Sequence, residues 1–189
     1  MKIFFTASQR GKKQFGNTYK KIQSVIAKSG YTVLEDDIFS EEPEDLYRAL
    51  ESGDHKKQTE FYNKKIETLQ KADLCIFEAS THSLSIGFVI QKALEFNKPT
   101  IVLYLTDYKP LFFSGVDNDK LILQEYDEKN FEKQLGSAIQ DALHLREKRF
   151  NFFISPGLLS YLEHTSKKEG VTKSTFIRNL LLAHRKKFS

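Results

Sequence analysis

A single cysteine, Cys75, in 189 residues rules out a disulfide within the chain and fits a reducing, cytoplasmic setting. No apolar run approaches the roughly 20 residues that a membrane-spanning helix needs, and Met1-Lys2-Ile3-Phe4-Phe5 lacks the long apolar core of a signal peptide. A soluble cytoplasmic protein with no membrane partner is expected. There is no internal repeat and no low-complexity tract. The histidines His55, His82, His144, His164 and His184 show no metal-ligand spacing with one another or with Cys75, so neither a metal nor another cofactor is expected. Cys75 lies inside an apolar run and reads as core filler rather than a nucleophile. His82 lies in a polar turn and reads as a solvent-facing loop residue.

What the chain does have is apolar content. Hydrophobic residues make up 40% of it, with 16 Phe and 8 Tyr, enough for one ordinary domain and a small appendage. The net charge of +4 conceals an asymmetry: residues 148–189 carry nine basic and two acidic groups, or +7, whereas the preceding residues sum to −3. Such an excess suits a phosphate-binding surface, and it suits equally a small helical unit kept soluble by lysine and arginine.

Strand and helix patterns alternate along the first three-quarters of the chain. Lys2 to Thr6, Tyr31 to Leu34, Ala72 to Glu78, Thr100 to Leu105 and Leu121 to Tyr126 read as strands. Helical spacing recurs from about Gln14 to Lys28, from Lys56 to Lys71, from Ser85 to Phe96 and from Lys129 to about Glu147. Ser40 to His55 is acidic and irregular, a candidate loop or lid. The alternation predicts an α/β domain over 1–147 with a parallel, doubly wound sheet, whose ligands belong at the carboxyl ends of its strands. The polar turns after strands one and three carry Ser8, Arg10, Gly11, Ser83 and Gly87. Backbone N–H groups at the helix starts, the Ser8 and Ser83 hydroxyls and the Arg10 guanidinium are placed to converge on a phosphate. The same residues also suit helix caps and bridges to surface acids.

Three stretches carry a family resemblance: Ile3-Phe4-Phe5-Thr6-Ala7-Ser8-Gln9-Arg10-Gly11, Leu69 to Ser80, and His82 to Ala93 with Phe96-Asn97-Lys98. In order and spacing they resemble the nucleoside 2-deoxyribosyltransferase-like family, including its nucleoside 5'-monophosphate N-glycosidase branch. The resemblance implies a Rossmann-like fold and a 5'-phosphate held by Ser8, Arg10 and Ser83. It also implies three catalytic positions: a glutamate that attacks the anomeric carbon, an assisting aspartate, and a strand-one tyrosine. Here these read Val89, Lys65 and Phe4. Valine forms no glycosyl ester, lysine is a poor proton acceptor at neutral pH, and phenylalanine has no hydroxyl. The family reaction is therefore expected to be absent, unless Glu78 or Glu67 acts as a displaced nucleophile; Glu78 also matches a family carboxylate at the end of strand three, for which a structural or ribose-contacting role is the plainer reading.

Residues 148–189 form a second expected domain. Arg149 to Ile154 alternates with period two, Ser155-Pro156 opens a helix that ends at Glu169-Gly170, and Val171-Thr172-Lys173-Ser174 opens another bearing Phe176, Ile177, Leu180 and Leu181. A lone strand has two open edges and calls for a partner strand. The run from Lys148 to Lys187 resembles ribbon-helix-helix domains of the MetJ/Arc and CopG class. That implies a homodimer, or a tetramer built from it. It also implies base contacts from Arg149, Asn151 and Phe153 and backbone contacts from Thr172, Lys173 and Ser174. Phe153 departs from the polar residue usual in the class, and a dimerisation arm or a protein-contacting face remains an open reading. The expected function is thus a dimeric transcriptional regulator that binds operator DNA and senses a nucleotide. The alternative is a nucleoside 2-deoxyribosyltransferase or nucleoside 5'-monophosphate N-glycosidase dimerised by its tail.

Overall fold

A computed structural model describes residues 1–34, 37–40, 44, 48, 55–127, 129–145 and 152–188. The chain divides into two compact units, Met1–Glu147 and Lys148–Ser189.

The first unit is built on five parallel strands: β1 (Lys2–Ala7), β2 (Thr32–Leu34), β3 (Leu74–Glu78), β4 (Thr100–Leu105) and β5 (Leu121–Tyr126), in the order β2-β1-β3-β4-β5. Every residue of β3, and all of β1 after Lys2, is buried. Near-continuous apolar runs are what a parallel strand covered on both faces requires. The edge strands β2 and β5 are only partly covered and less uniformly apolar.

Helices α1 (Lys12–Lys28), α2 (Asp37–Ser40), α3 (His55–Gln70), α4 (Leu84–Glu95) and α5 (Phe131–His144) complete the unit. In α1, Phe15, Tyr19, Ile22 and Ile26 recur at helical spacing and pack with Leu135, Ala138, Ile139 and Ala142 of α5 against Ile3, Phe5 and Ile76. On the opposite face, Leu69 of α3 and Ile86, Val89, Ile90 and Ala93 of α4 cover Phe4, Cys75, Phe77 and Val102. Each large side chain so buried contributes about 1.5–3 kcal/mol by removal from water.

The order reverses direction between β1 and β3, which makes their carboxyl ends a topological switch point. Register sets those ends level, with Thr6 beside Phe77 and Ala7 beside Glu78. The two turns that follow are therefore neighbours in space, though about 70 residues separate them in sequence. Most of the expected loop over Ser40 to His55 lies outside the described residues. Among the described residues no helix is long and apolar enough to cross a membrane.

In the second unit, α6 (Pro156–Lys168) and α7 (Lys173–Phe188) form as expected. Ser155 caps α6 by accepting the Leu158 N–H at 3.4 Å, with Pro156 following it. Gly170 adopts φ of +68° where the chain leaves α6, a conformation natural to glycine. The expected strand is corrected in part: Phe152, Phe153 and Ile154 form no strand, since a lone strand within one chain has no ladder to join, and 149–151 lie outside the described residues.

Candidate functional site

The turn after β1 runs from the buried Ser8 into a single 3-10 turn, Gln9–Gly11, that leads directly into α1. The turn after β3 ends at Ser83, whose extended backbone and hydroxyl, accepting from Ile86 N–H at 3.4 Å, cap α4. Between these turns opens a cleft of about 470 Å³, within the range of small-molecule sites. Ser8, Gln9, Ser83 and Ser85 supply its polar groups. Phe61, Tyr62 and Ile66 of α3 and Leu84, Ile86, Phe88 and Val89 of α4 supply an apolar, partly aromatic wall. Tyr62 and Phe88 meet with ring centroids 6.2 Å apart, and the Lys65 ammonium, also on the cleft wall, lies 5.4 Å from the Phe61 ring centre.

Ser8 and Ser83 thus come together at the cleft. Arg10 is exposed on the 3-10 turn and does not line it, because that turn directs Gln9 inward instead. Gly87 lies in the first turn of α4, outside the lining. Gly11 is buried and is a contact point between the two turns: a Cβ on it would lie 2.3 Å from both the Thr81 hydroxyl and the Tyr19 hydroxyl. Of the three positions implied as catalytic, Lys65 and Val89 line the cleft, and Phe4 is packed in the core against Phe77, with ring centroids 5.9 Å apart. No carboxylate lines the cleft among the described residues. Nor, among them, do three or more histidine, cysteine or acidic side chains gather as a metal site would require. Cys75 is buried in β3, and burial pushes its thiol up to about 12, as befits core packing.

Glu78 takes a different place. Side chains alternate along β3, so Phe77 points to the α3/α4 face and Glu78 to the α1/α5 face, beside Ala7. Its carboxyl is fully buried and accepts hydrogen bonds from the Ser80 N–H at 3.1 Å, the Ser80 hydroxyl, and the Tyr126 hydroxyl at 3.0 Å. Burial raises its pKa, and the bonds from Ser80, Tyr126 and Tyr19 partly offset that rise. Burial, with the Glu78 charge nearby, likewise raises the hydroxyls of Tyr19 and Tyr126. Sequence reading passed over Ser80, Thr81, Tyr19 and Tyr126. A tyrosine at core spacing in a helix was the one signal available, and it is indistinguishable from ordinary packing.

In the C-terminal unit, Arg149 and Asn151 lie outside the described residues, and Phe153 is fully exposed. Thr172 caps α7, accepting the Thr175 N–H at 3.1 Å, while Lys173 pairs with Glu163 at 2.8 Å and Ser174 lies in the first turn.

No family model matches the chain. A protein of Syntrophotalea carbinolica named as a 2'-deoxynucleoside 5'-phosphate N-hydrolase 1 is 28% identical over 144 residues, covering 76% of this chain and 94% of that protein. A protein of the same name from Thermofilum pendens is 30% identical over 107 residues, 57% of this chain and 70% of its own length. Among solved structures, the CMP N-glycosidase of Clostridium botulinum aligns with a TM-score of 0.50 at 15% identity, over 72% of this chain and 99% of that one, a likeness of fold. These relatives overturn the expectation of a DNA-binding transcriptional regulator. That expectation rested on three substituted catalytic positions, a basic tail and the likeness of that tail to ribbon-helix-helix domains. By sequence, over most of the length of these relatives, the chain belongs to the 2'-deoxynucleoside 5'-phosphate N-hydrolase family.

Proposed function

We propose that this protein binds a nucleoside 5'-monophosphate in the cleft at the carboxyl ends of β1 and β3 and hydrolyses its N-glycosidic bond slowly. The observation that carries this reading is the polarity of the cleft. Ser8 and Ser83 from the two neighbouring turns line it with Gln9, Ser85 and Lys65, and aromatic and aliphatic side chains form most of the remainder. A phosphate suits the hydroxyls and helix start, and a nucleobase suits the apolar wall. The residues assigned to the phosphate are Ser8 and Ser83, with Arg10 and Gly11 on the adjoining turn. Cleavage leaves positive charge at C1', and water adds its hydroxyl there while its proton passes to the departing base. With Val89 on the wall, no side chain takes the place of water as nucleophile, and Lys65 offers the leaving base a hydrogen-bond donor rather than a carboxylate.

The test is incubation of the full chain with the four 2'-deoxynucleoside 5'-monophosphates and the matching nucleosides, following binding by calorimetry and free base by chromatography. Monophosphates are expected to bind at least tenfold more tightly than nucleosides, about 1.4 kcal/mol, and to release base slowly. Absence of both binding and release overturns the reading. Binding with no release selects a second reading, recognition without turnover, which the lack of a carboxylate among the described lining residues favours.

We also propose that the C-terminal unit pairs with its counterpart in a second copy, as its likeness to ribbon-helix-helix domains implies. A unit of this size sits near the limit of about 40 residues below which a core rarely suffices. Leu162 and Phe176 are its buried apolar residues among those described, whereas Leu158, Tyr161, Leu180, Leu181 and Phe153 are exposed. Sedimentation equilibrium is expected to give a dimer mass, and Leu181→Glu with Leu158→Glu to give a monomer. A wild-type monomer at micromolar concentration overturns the pairing.

A further inference from the structure

We propose that Glu78 is a positioning residue that pins the turn after β1 to the turn after β3 and so sets the spacing of the Ser8 and Ser83 hydroxyls across the cleft. This rests on the monophosphate reading for its consequence, although the tie itself does not.

The tie can be followed atom by atom. The carboxyl oxygen Oε1 of Glu78 accepts the N–H and the hydroxyl of Ser80, which holds the second turn against the end of β3. The Ser80 hydroxyl accepts in turn from the Leu105 N–H at 2.9 Å, which fixes the same turn to the end of β4. Tyr126, from the edge strand β5, donates to the same carboxyl oxygen. On the other side the Tyr19 hydroxyl donates to the Ser8 carbonyl at 3.4 Å and lies beside the Glu78 carboxyl and the Thr81 hydroxyl. The buried carboxyl thereby bonds the second turn and β5 directly, and reaches α1 and the first turn through the neighbouring Tyr19 hydroxyl. Gly11 lets the turns close on each other, because a side chain there would meet Thr81 and Tyr19. In a site dry enough to exclude water, loss of such a hub leaves several donors unpaired at once.

Glu78 does not line the cleft, so its effect on a ligand must pass through the turns. Three variants separate the roles. Glu78→Gln keeps an acceptor for Ser80 and Tyr126, Glu78→Ala removes it, and Tyr19→Phe removes the hydroxyl that bonds Ser8 and lies beside Glu78 and Thr81. Amide hydrogen exchange of peptides covering residues 8–11 and 79–83 is measured on the ligand-free full chain. Calorimetry then compares deoxycytidine 5'-monophosphate with deoxycytidine. Glu78→Ala is expected to speed exchange in both turns by about tenfold or more and to weaken the monophosphate by a similar factor, with the nucleoside changed less than about threefold. Glu78→Gln should restore most of both, and Tyr19→Phe should loosen 8–11 more than 79–83. If Glu78→Ala does not fold, the Gln and Phe variants carry the same comparison. Exchange in 8–11 that ignores Glu78→Ala and Tyr19→Phe overturns the tie. A wild-type protein that binds the nucleoside as well as the monophosphate overturns the phosphate reading instead, whatever the exchange shows.

Discussion

Val89→Glu combined with Lys65→Asp is expected to raise the rate of base release from 2'-deoxynucleoside 5'-monophosphates by roughly 100-fold to 10,000-fold, the usual worth of a correctly placed catalytic carboxylate. Val89 and Lys65 both line the cleft, one on α4 and the other on α3, at the positions where the sequence resemblance places an attacking glutamate and its assisting aspartate. Both changes are needed. A lysine ammonium in the same cleft would pair with a new glutamate, lower its pKa and weaken it as a nucleophile. Placing a carboxylate where a valine is nearly buried costs stability, on the order of 1–3 kcal/mol, so thermal unfolding must accompany the rate measurement. A folded double variant that binds the monophosphate and releases base no faster than wild type would mean that C1' of the ligand does not lie beside Val89, and that the ligand sits elsewhere in the cleft.

The fold was legible because both periodicities are strong. β1, β3 and β4 are apolar runs too short for helices, and α1 repeats Phe15, Tyr19, Ile22 and Ile26 on one face. The cleft was legible in outline, since polar turns after strands one and three of a doubly wound sheet have one place to meet. What escaped notice was tertiary. Nothing local to Tyr19 distinguishes a hydroxyl that meets Ser8 and Glu78 from a ring that fills space. Nothing local to Gly11 announces Thr81, 70 residues away. Arg10 was expected at the cleft, yet the 3-10 turn directs Gln9 there. In the tail, basic residues read as a phosphate-binding surface include Lys173, which pairs with Glu163, and beside it Thr172 serves α7 as its cap. Charge on a small helix is weak evidence of a nucleic-acid partner for this reason: the same residues are needed to solvate and cap it.

Gly11→Ala is expected to destabilise the first unit by about 1–3 kcal/mol and to weaken monophosphate binding by at least tenfold. The backbone at Gly11 is ordinary, with φ of −81° and ψ of −10°, so conformational freedom is not what the position requires. Space is. A methyl group would lie 2.3 Å from the Thr81 hydroxyl and the Tyr19 hydroxyl and 3.1 Å from the Thr81 Cβ. Tyr19 is anchored in the core and cannot swing away without opening a cavity among Phe5, Phe15 and Ile22, so the strain falls on the turns, which are driven apart. Gly16→Ala, one turn into α1, is the internal control. Its methyl would have the Lys12 side chain as its nearest neighbour at 3.9 Å, and alanine in place of glycine inside a helix should add about 0.5–1 kcal/mol. Urea unfolding of the two variants should therefore move in opposite directions. Equal stability and unchanged monophosphate affinity in Gly11→Ala would show that the two turns tolerate separation, and that the spacing of Ser8 and Ser83 does not govern the cleft.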